Sequence, residues 1–233
     1  MLENEPTNLE IVQKNDTDDV KNSKYIMNAL KRENYQRNGI TKGLIDAQPN
    51  DFILISDVDE IPNFENFNLD AIKEKIILFE QDMFYYKFNL KLPNIKWIGT
   101  KACKKKYFKN PQWLRNIKDR KYPFYRIDTL FSNNKYIDVK IFKNGGWHFT
   151  NIKRPEEIEY KMRSYLHHRE FDLKPINLEG IKDIMKNKKA IYDLTADKRL
   201  NKIGSGNKLE NYDLNNLPGT IKNNLNKYKE WLD

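Results

Sequence analysis

Two acidic residues, Asp57 and Asp59, directly follow an apolar run and are the strongest candidates for chemistry in this chain. The run, residues 52–55, has the length of a buried strand, so both carboxylates are expected at its C-terminal end. Residues two apart in extended backbone project to one side, with Val58 packing behind them. Converging carboxylates repel, and Mn²⁺ or Mg²⁺ relieves that repulsion. The same spacing also suits an acidic turn that caps a helix.

A histidine after two glycines is the next candidate. His148 is expected to make a further metal or diphosphate contact, because a neutral imidazole suits Mn²⁺ and Gly145 and Gly146 allow close backbone approach. The alternative is a histidine that only packs beside Trp147. Both Trp147 and Trp97 can stack on a sugar ring, and both suit an aromatic core equally well.

Two arginines have the chemistry to bind phosphate. Arg37 and Arg115 can neutralise phosphate oxygens through paired hydrogen bonds. Structural ion pairs are an equal alternative, and Glu33 is an available partner for either arginine.

The elements that must position these residues alternate between helix and strand. The apolar periodicity predicts a helix over 20–47 with a break near residues 38–39, a buried central parallel strand over 52–55, and a helix over 69–79. A strand over 83–92 and a helix opening at Pro155 follow. This order predicts an α/β sandwich with a mixed sheet, in which ligands bind beyond the carboxyl ends of strands.

Composition narrows the class of protein. The chain has 233 residues, a formal charge of +9 and one cysteine, which cannot form an internal disulfide and suggests a reducing, cytoplasmic setting. The charge comes from 33 Lys against 9 Arg beside 29 Asn, which favours a solvated surface over a nucleic-acid partner. No stretch is apolar for long enough to span a membrane.

The segment from Ile53 to Pro62, ILISDVDEIP, resembles the signature of glycosyltransferase family 17, which includes the enzyme that adds the bisecting N-acetylglucosamine to N-glycans. Further segments resemble the family in the same order, and together they cover about residues 24 to 233. They are residues 32–38, 97–100, 112–115, 145–149, the helix 157–170 with Lys161, Ser164 and His167, and residues 217–218.

This resemblance implies a GT-A-like mixed sheet flanked by helices, with a helical C-terminal region. It implies inverting transfer of N-acetylglucosamine from UDP-N-acetylglucosamine to a glycan acceptor that resembles β-mannose, with Mn²⁺ or Mg²⁺ as cofactor. Asp59 is the expected direct ligand, and Asp57 is expected to contact ribose or a metal-bound water. Inversion requires a carboxylate base, for which Glu60 and Glu170 are both candidates.

The domain organisation expected from these patterns is a single glycosyltransferase domain over 1–233. It comprises an irregular start (1–19), an α/β core with the acidic motif (20–150) and a helical C-terminal part (151–233). Members of the family begin with a further strand-helix-strand portion, so a complementing N-terminal polypeptide is an expected partner.

Three other functions compete with the transferase. A haloacid-dehalogenase-type phosphatase also places Asp-x-Asp after an apolar strand, but it expects a small hydroxyl residue and a glycine where this chain has residues 60–62, Glu-Ile-Pro. A non-catalytic sugar- or nucleotide-binding remnant is the second. A polynucleotide-binding module, with steeply salt-dependent binding, is the third.

Overall fold

A computed structural model describes residues 4–65, 67–164, 171, 175–192 and 206–233. The helices within these residues are α1 (Asp18–Asn38), α2 (Pro111–Asn116), α3 (Pro155–Ser164), α4 (Leu178–Lys186) and α5 (Gly219–Lys222). None of these described helices is both long enough and apolar enough to cross a membrane.

The strands form a mixed sheet, which confirms the predicted α/β class. They are β1 (Phe52–Ile55), β2 (Glu60–Pro62), β3 (Ile76–Tyr85), β4 (Leu90–Lys104), β5 (Val139–Phe142), β6 (Gly146–Thr150) and β7 (Glu210–Asn211). The order is β1-β4-β3-β6-β2, while β5 pairs with β3 and β7 pairs with β4. Strands β3 and β6 are parallel, whereas β2 and β6 are antiparallel.

The chain forms two compact units, each built from several stretches of sequence. The first unit comprises residues 1–55, 74–76 and 101–139, and the second comprises 56–73, 77–100 and 140–233. The single domain expected over 1–233 remains a prediction.

In the first unit, helix α1 begins where the sequence predicts. The Thr17 hydroxyl accepts the Val20 N–H at 3.4 Å, and Asp18 and Asp19 place negative charge at the positive end of the helix dipole. The helix ends at Asn38 and a 3-10 helix continues over Gly39–Leu44, at the predicted break.

Strand β1 differs from its prediction in its pairing. It pairs antiparallel with β4, from Phe52 opposite Lys104 to Ile55 opposite Lys101, and stands at one end of the strand order. The expectation of a central parallel strand was therefore wrong. Within β1, only Ile53 and Ile55 are buried, so one face of the strand packs against the core. A continuous apolar run therefore does not require a strand that is covered on both faces.

The predicted helix over 69–79 is also wrong. A 3-10 turn occupies Leu69–Ala71, and β3 begins at Ile76. Residues 76 to 79 are all buried, which is the pattern of a strand covered on both faces. A short apolar run of this kind does not distinguish a buried helix from a buried strand.

Two apolar clusters lie on opposite faces of β3. Met83 and Tyr85 belong to a cluster with Ile158 and Met162 of α3 and Ile181 of α4. Phe84, between them, belongs to a second cluster with Phe149, Leu217 and Ile221. Alternate residues of a strand face opposite ways, so the sheet of the second unit is covered on both sides.

An irregularity in β4 decides which way Trp97 points. Asn94 has a positive φ of 61°. Leu92, before Asn94, packs in the cluster that includes α3 and α4. Trp97, after Asn94 and five residues from Leu92, packs against the same cluster. Because an odd spacing reverses the face of a regular strand, the alternation must shift once between them, as at a β-bulge.

Candidate functional site

The acidic motif forms a tight turn instead of extended backbone. The Glu60 N–H donates to the Asp57 carbonyl oxygen at 3.0 Å, which closes residues 57–60 between β1 and β2. Val58 stands at the tip and is fully exposed, so the expectation that it packs behind the two acids was wrong.

The Glu60 carboxylate fixes this turn from inside. It accepts the Asp57 backbone N–H at 3.0 Å and the Trp97 indole N–H at 2.9 Å, one on each oxygen. Glu60 is only 5% exposed. A buried carboxylate with both oxygens engaged is suited to positioning neighbouring groups.

Three uncharged polar side chains continue the network beneath the turn. The Ser56 hydroxyl donates to the Glu60 carbonyl oxygen at 2.8 Å and lies 2.7 Å from the Thr100 hydroxyl. Gln81, which is fully buried, donates its side-chain N–H to Thr100 at 3.3 Å. The turn is therefore connected by hydrogen bonds to strands β3 and β4.

His148 reaches the turn because β6 lies beside β2. Its Cα partner is Glu60, and the Phe149 N–H donates to the Asp59 carbonyl oxygen at 2.7 Å. Gly146 makes this approach possible: it has a φ of +136°, and a Cβ there would lie 2.0 Å from the Ile61 carbonyl oxygen. The close neighbour of Gly146 is the backbone of β2, so the approach of a metal or diphosphate to the glycine pair stays a prediction.

Asp59 and His148 face each other across the pairing of β2 with β6. Asp59 Oδ2 lies 3.4 Å from His148 Nε2, and their side chains are 34% and 10% exposed. The imidazole stacks on Trp97, with ring centroids 4.9 Å apart and an angle of 32° between the planes. Trp97 thus orients His148 through the stacking of the two rings, and it orients Glu60 through the hydrogen bond from its indole N–H.

Lys161 adds a positive charge that was not among the predicted site residues. It lies on α3 and donates to the Asn151 side-chain oxygen at 2.8 Å. Asn151 is buried and has a positive φ of 53° just after β6, a conformation that asparagine adopts more readily than most residues. The signal available in the sequence was the presence of Lys161 in the family-like helix.

Charge at the site favours an ionised Asp59. Burial raises the pKa of Asp59, but the hydrogen bond and charge of His148 and the charge of Lys161 outweigh it and hold the pKa below its usual value. Burial, and then the charge of Lys153, lower the pKa of Lys161, against the attraction of Asp59. The carboxylate therefore carries its negative charge at neutral pH.

A cavity of about 470 Å³ lies along α3 beside Lys161. Its lining residues include two cations and two acids; they are Lys153, Glu156, Glu157, Tyr160, Lys161 and Ser164. Ile158 and Met162 of the same helix are buried in the core, so the helix turns its polar face to the cavity. Lys161 thus lines the cavity and also interacts electrostatically with Asp59.

The two predicted stacking tryptophans lie on opposite faces of the sheet. Trp147 precedes His148 in β6, so it points away from Asp59, and it packs with Phe84 and Phe149. Its indole N–H donates to the Asn216 carbonyl oxygen at 3.0 Å. Trp97 belongs to the site around Asp59, and Trp147 does not.

Other predicted site residues belong to the first unit or fall outside the described chain. Arg37 donates to Glu33 at 2.8 Å, which is the structural ion pair expected as the alternative to phosphate binding, and it also donates to Gln112 at 2.6 Å. Arg115 lies in α2 of the same unit. Glu170, like His167 and His168, lies outside the described residues.

The donor atoms of Asp59 and His148 have a spacing that suits one cation. Two ligands at right angles on a divalent ion, each about 2.1 Å from it, lie about 3 Å apart. Over the described residues no group of three or more His, Cys, Asp or Glu side chains is arranged to hold a metal. Asp59 alone suits Mg²⁺, which needs only one or two carboxylates and completes its shell with water and substrate phosphates, whereas the imidazole of His148 suits Mn²⁺ better.

His148 fits the cation less well than Asp59 does. Its Nδ1 is buried and has no hydrogen-bond partner among the residues described. Ligating histidines usually donate the N–H of the second ring nitrogen to an acceptor, which fixes the ring and raises its basicity. Asp59 is therefore the better ligand of the two.

The family-like motifs can now be placed in the fold. Residues 57–60 and 145–149, which are distant in sequence, become neighbours through the pairing of β2 with β6. Trp97, from a third motif, contacts both Glu60 and His148. Comparison of the chain with protein-family models, with curated protein sequences and with solved structures gave no match.

Proposed function

We propose that this chain is a glycosyltransferase that depends on a divalent cation and transfers N-acetylglucosamine from UDP-N-acetylglucosamine to a glycan acceptor, with inversion. The observation that carries the proposal is the 3.4 Å approach of Asp59 Oδ2 to His148 Nε2, and the positive charge of Lys161 also acts on this carboxylate. Two adjacent donors and a nearby cation are what a metal-bound diphosphate requires. The donor sugar and an acceptor resembling β-mannose follow from the family resemblance.

Asp59 is the principal residue that would hold Mn²⁺ or Mg²⁺, and His148 would be the second. Bound there, the cation supplies positive charge that stabilises the diphosphate leaving group more in the transition state than in the ground state. The low pKa of Asp59 keeps this ligand ionised. Asp57, whose backbone is fixed by Glu60, is the candidate for the ribose or for a metal-bound water.

Lys161 and Lys153 are proposed to bind diphosphate oxygens in the cavity beside α3. Both line the cavity, and Lys161 also interacts with Asp59. Lys161 is held by Asn151, which places its ammonium group without neutralising it. A lysine fixed in this way binds phosphate as a point charge.

We assign different roles to Glu60 and Glu170, the two candidates for the catalytic base. Both oxygens of Glu60 already accept hydrogen bonds, so Glu60 is proposed as a positioning residue for Asp57 and Trp97. Glu170 remains the candidate that takes the proton from the acceptor hydroxyl.

A non-catalytic protein that binds a nucleotide sugar is the second candidate. One observation favours it: the described residues supply two candidate donors, Asp59 and His148, where many metal sites have three or more. Such a protein would bind UDP-sugars without turning them over.

An assay of UDP release distinguishes the two. The purified chain is incubated with UDP-N-acetylglucosamine and a β-mannoside, with Mn²⁺ or with a chelator. Release of UDP that requires both Mn²⁺ and the acceptor supports the transferase. Calorimetric binding of UDP-N-acetylglucosamine without any release would identify the non-catalytic protein, and failure to bind any UDP-sugar would contradict both proposals.

A further inference from the structure

A loop of the first unit displays apolar side chains that a water-soluble surface normally hides. This loop comprises residues 118–135 and is named the 118–135 loop. Five large apolar side chains within eight residues of it are between 69% and 87% exposed: Phe124, Tyr125, Ile127, Leu130 and Phe131. Single exposed apolar residues are ordinary, but such a concentration marks an interaction surface.

Polar contacts hold the loop in this arrangement. The Lys118 N–H donates to the Asn134 carbonyl oxygen at 2.8 Å and closes the base. Asp128 accepts two hydrogen bonds from Arg126, at 2.7 and 2.9 Å, and one from Lys135 at 2.8 Å. Tyr122 is buried and lies under the Arg126 guanidinium. These contacts therefore fix the backbone of the loop while its five apolar side chains are exposed to solvent.

The charge around these side chains is positive. The loop contains five cations and two acids, Asp119 and Asp128. Asp119 pairs with buried Lys101 at 2.6 Å, and Asp128 pairs within the loop. Among the ion pairs formed by described residues, none involves Lys118, Arg120 or Lys121. Three exposed cations thus adjoin the apolar group without a compensating acid.

This composition suits lipid better than protein. Tyr and Phe beside Lys and Arg are typical of segments that lie in the interface of a bilayer, where the rings enter the acyl boundary and the cations meet anionic headgroups. Cores of protein interfaces, by contrast, are depleted in lysine. The overall formal charge of +9 acts in the same direction.

We propose that the 118–135 loop docks on an anionic lipid bilayer, with Phe124, Leu130 and Phe131 entering the interface and Lys118, Arg120 and Lys121 contacting the headgroups. This binding would hold the described part of the chain at a membrane surface. It is independent of the proposed transferase activity.

Vesicle co-sedimentation tests the docking directly. The full chain is mixed with phosphatidylcholine vesicles that contain about one-third phosphatidylglycerol, or none. We expect binding to the anionic vesicles that weakens in high salt, and much weaker binding to pure phosphatidylcholine. Absence of binding to anionic vesicles at low salt would overturn the proposal.

Variants assign the binding to the loop. The double variant Phe124→Ser/Phe131→Ser should lower the partition coefficient by about tenfold or more, and each of Lys118→Ala, Arg120→Ala and Lys121→Ala by about fivefold. Ile127→Ser is matched by Ile45→Ser, because both isoleucines are in the first unit and are 71% and 83% exposed. Only Ile127→Ser should weaken binding.

Two results would contradict this assignment. One is unchanged vesicle binding by the Phe124→Ser/Phe131→Ser variant with a native circular dichroism spectrum, or an equal loss in Ile45→Ser. The other is self-association of the wild-type chain, seen by sedimentation equilibrium and abolished by the same double variant, which would identify the loop as an interface between two copies.

Discussion

The indole N–H of Trp97 donates to the Glu60 carboxylate at 2.9 Å, and this contact connects β4 to the turn that carries both candidate acids. The second oxygen of the same carboxylate accepts the Asp57 backbone N–H. One buried glutamate therefore determines the position of the motif that the sequence singled out for chemistry.

Replacing Glu60 should destabilise the protein more than replacing an exposed glutamate. In Glu60→Gln the amide retains one acceptor oxygen, and its NH₂ group faces a donor, so the free energy of unfolding should fall by about 1 to 3 kcal/mol. Urea denaturation measures the change. Glu65→Gln is the control, since Glu65 is 69% exposed and should change stability by less than about 0.5 kcal/mol. Equal effects would disprove the positioning role.

Gly99 should not tolerate a side chain. A Cβ there would lie 1.9 Å from Gln81 Oε1 and 2.9 Å from Glu60 Cδ, so Gly99→Ala must displace buried polar groups and should lower the free energy of unfolding by about 1 to 3 kcal/mol. Gly219 has no atom within 4 Å of its added Cβ and lies at the start of α5. Gly219→Ala should be neutral or slightly stabilising by thermal unfolding. A Gly99→Ala variant as stable as the wild-type chain would show that Gln81 and Glu60 can move without loss of stability.

The two tryptophans should respond differently to the same substitution. Trp97→Phe and Trp147→Phe each remove an indole hydrogen bond, so each should reduce stability by about 1 kcal/mol. Only Trp97→Phe should weaken UDP binding measured by calorimetry, because Trp97 contacts His148 and Trp147 faces the other way. An equal loss of UDP affinity in both variants would show that the ligand does not bind on the Trp97 face.

Local patterns in the sequence were sufficient to predict several elements. The start of α1, the break near residues 38–39 and the strand over 52–55 depend on neighbouring residues, and each was predicted. The helix predicted over 69–79 failed because residues 76–79 have the apolar content of either a buried helix or a buried strand. Tertiary pairing decides between these two states.

The site was only partly predictable for the same reason. Asp59, Trp97 and His148 were named from motifs, and the structure brings them together. Trp97 and Trp147 lie on opposite faces of the sheet because the alternation of side chains in β4 shifts near Asn94 and because Trp147 is adjacent to His148 in β6. Residue types alone reveal neither feature. Lys161 joins the site through the packing of α3, and that packing is a tertiary property.

The pKa of Asp59 gives a pH test. Because the folded pKa is below the unfolded value of about 3.9, the contribution of the ionised carboxylate to stability is complete above that value and is lost as the pH falls through the folded pKa. Titration of the Asp59 ¹³Cγ chemical shift should give a midpoint below the ordinary value. Lys161→Gln should raise it, whereas Lys182→Gln should not, because the Lys182 side chain on α4 is 43% exposed and pairs with Glu179. A midpoint at or above the ordinary value would contradict the proposed charge balance.

Calorimetric titration of UDP into the chain, with Mn²⁺ and with a chelator, tests most directly whether Asp59 holds a cation for a diphosphate. We expect the wild-type chain to bind UDP only with Mn²⁺, and Asp59→Asn to weaken that binding by at least about a hundredfold. His148→Gln should lose less, because His148 Nδ1 has no partner in the described part of the chain. UDP binding that is equally strong with and without Mn²⁺, or that Asp59→Asn leaves unchanged in a folded protein, would contradict the metal site.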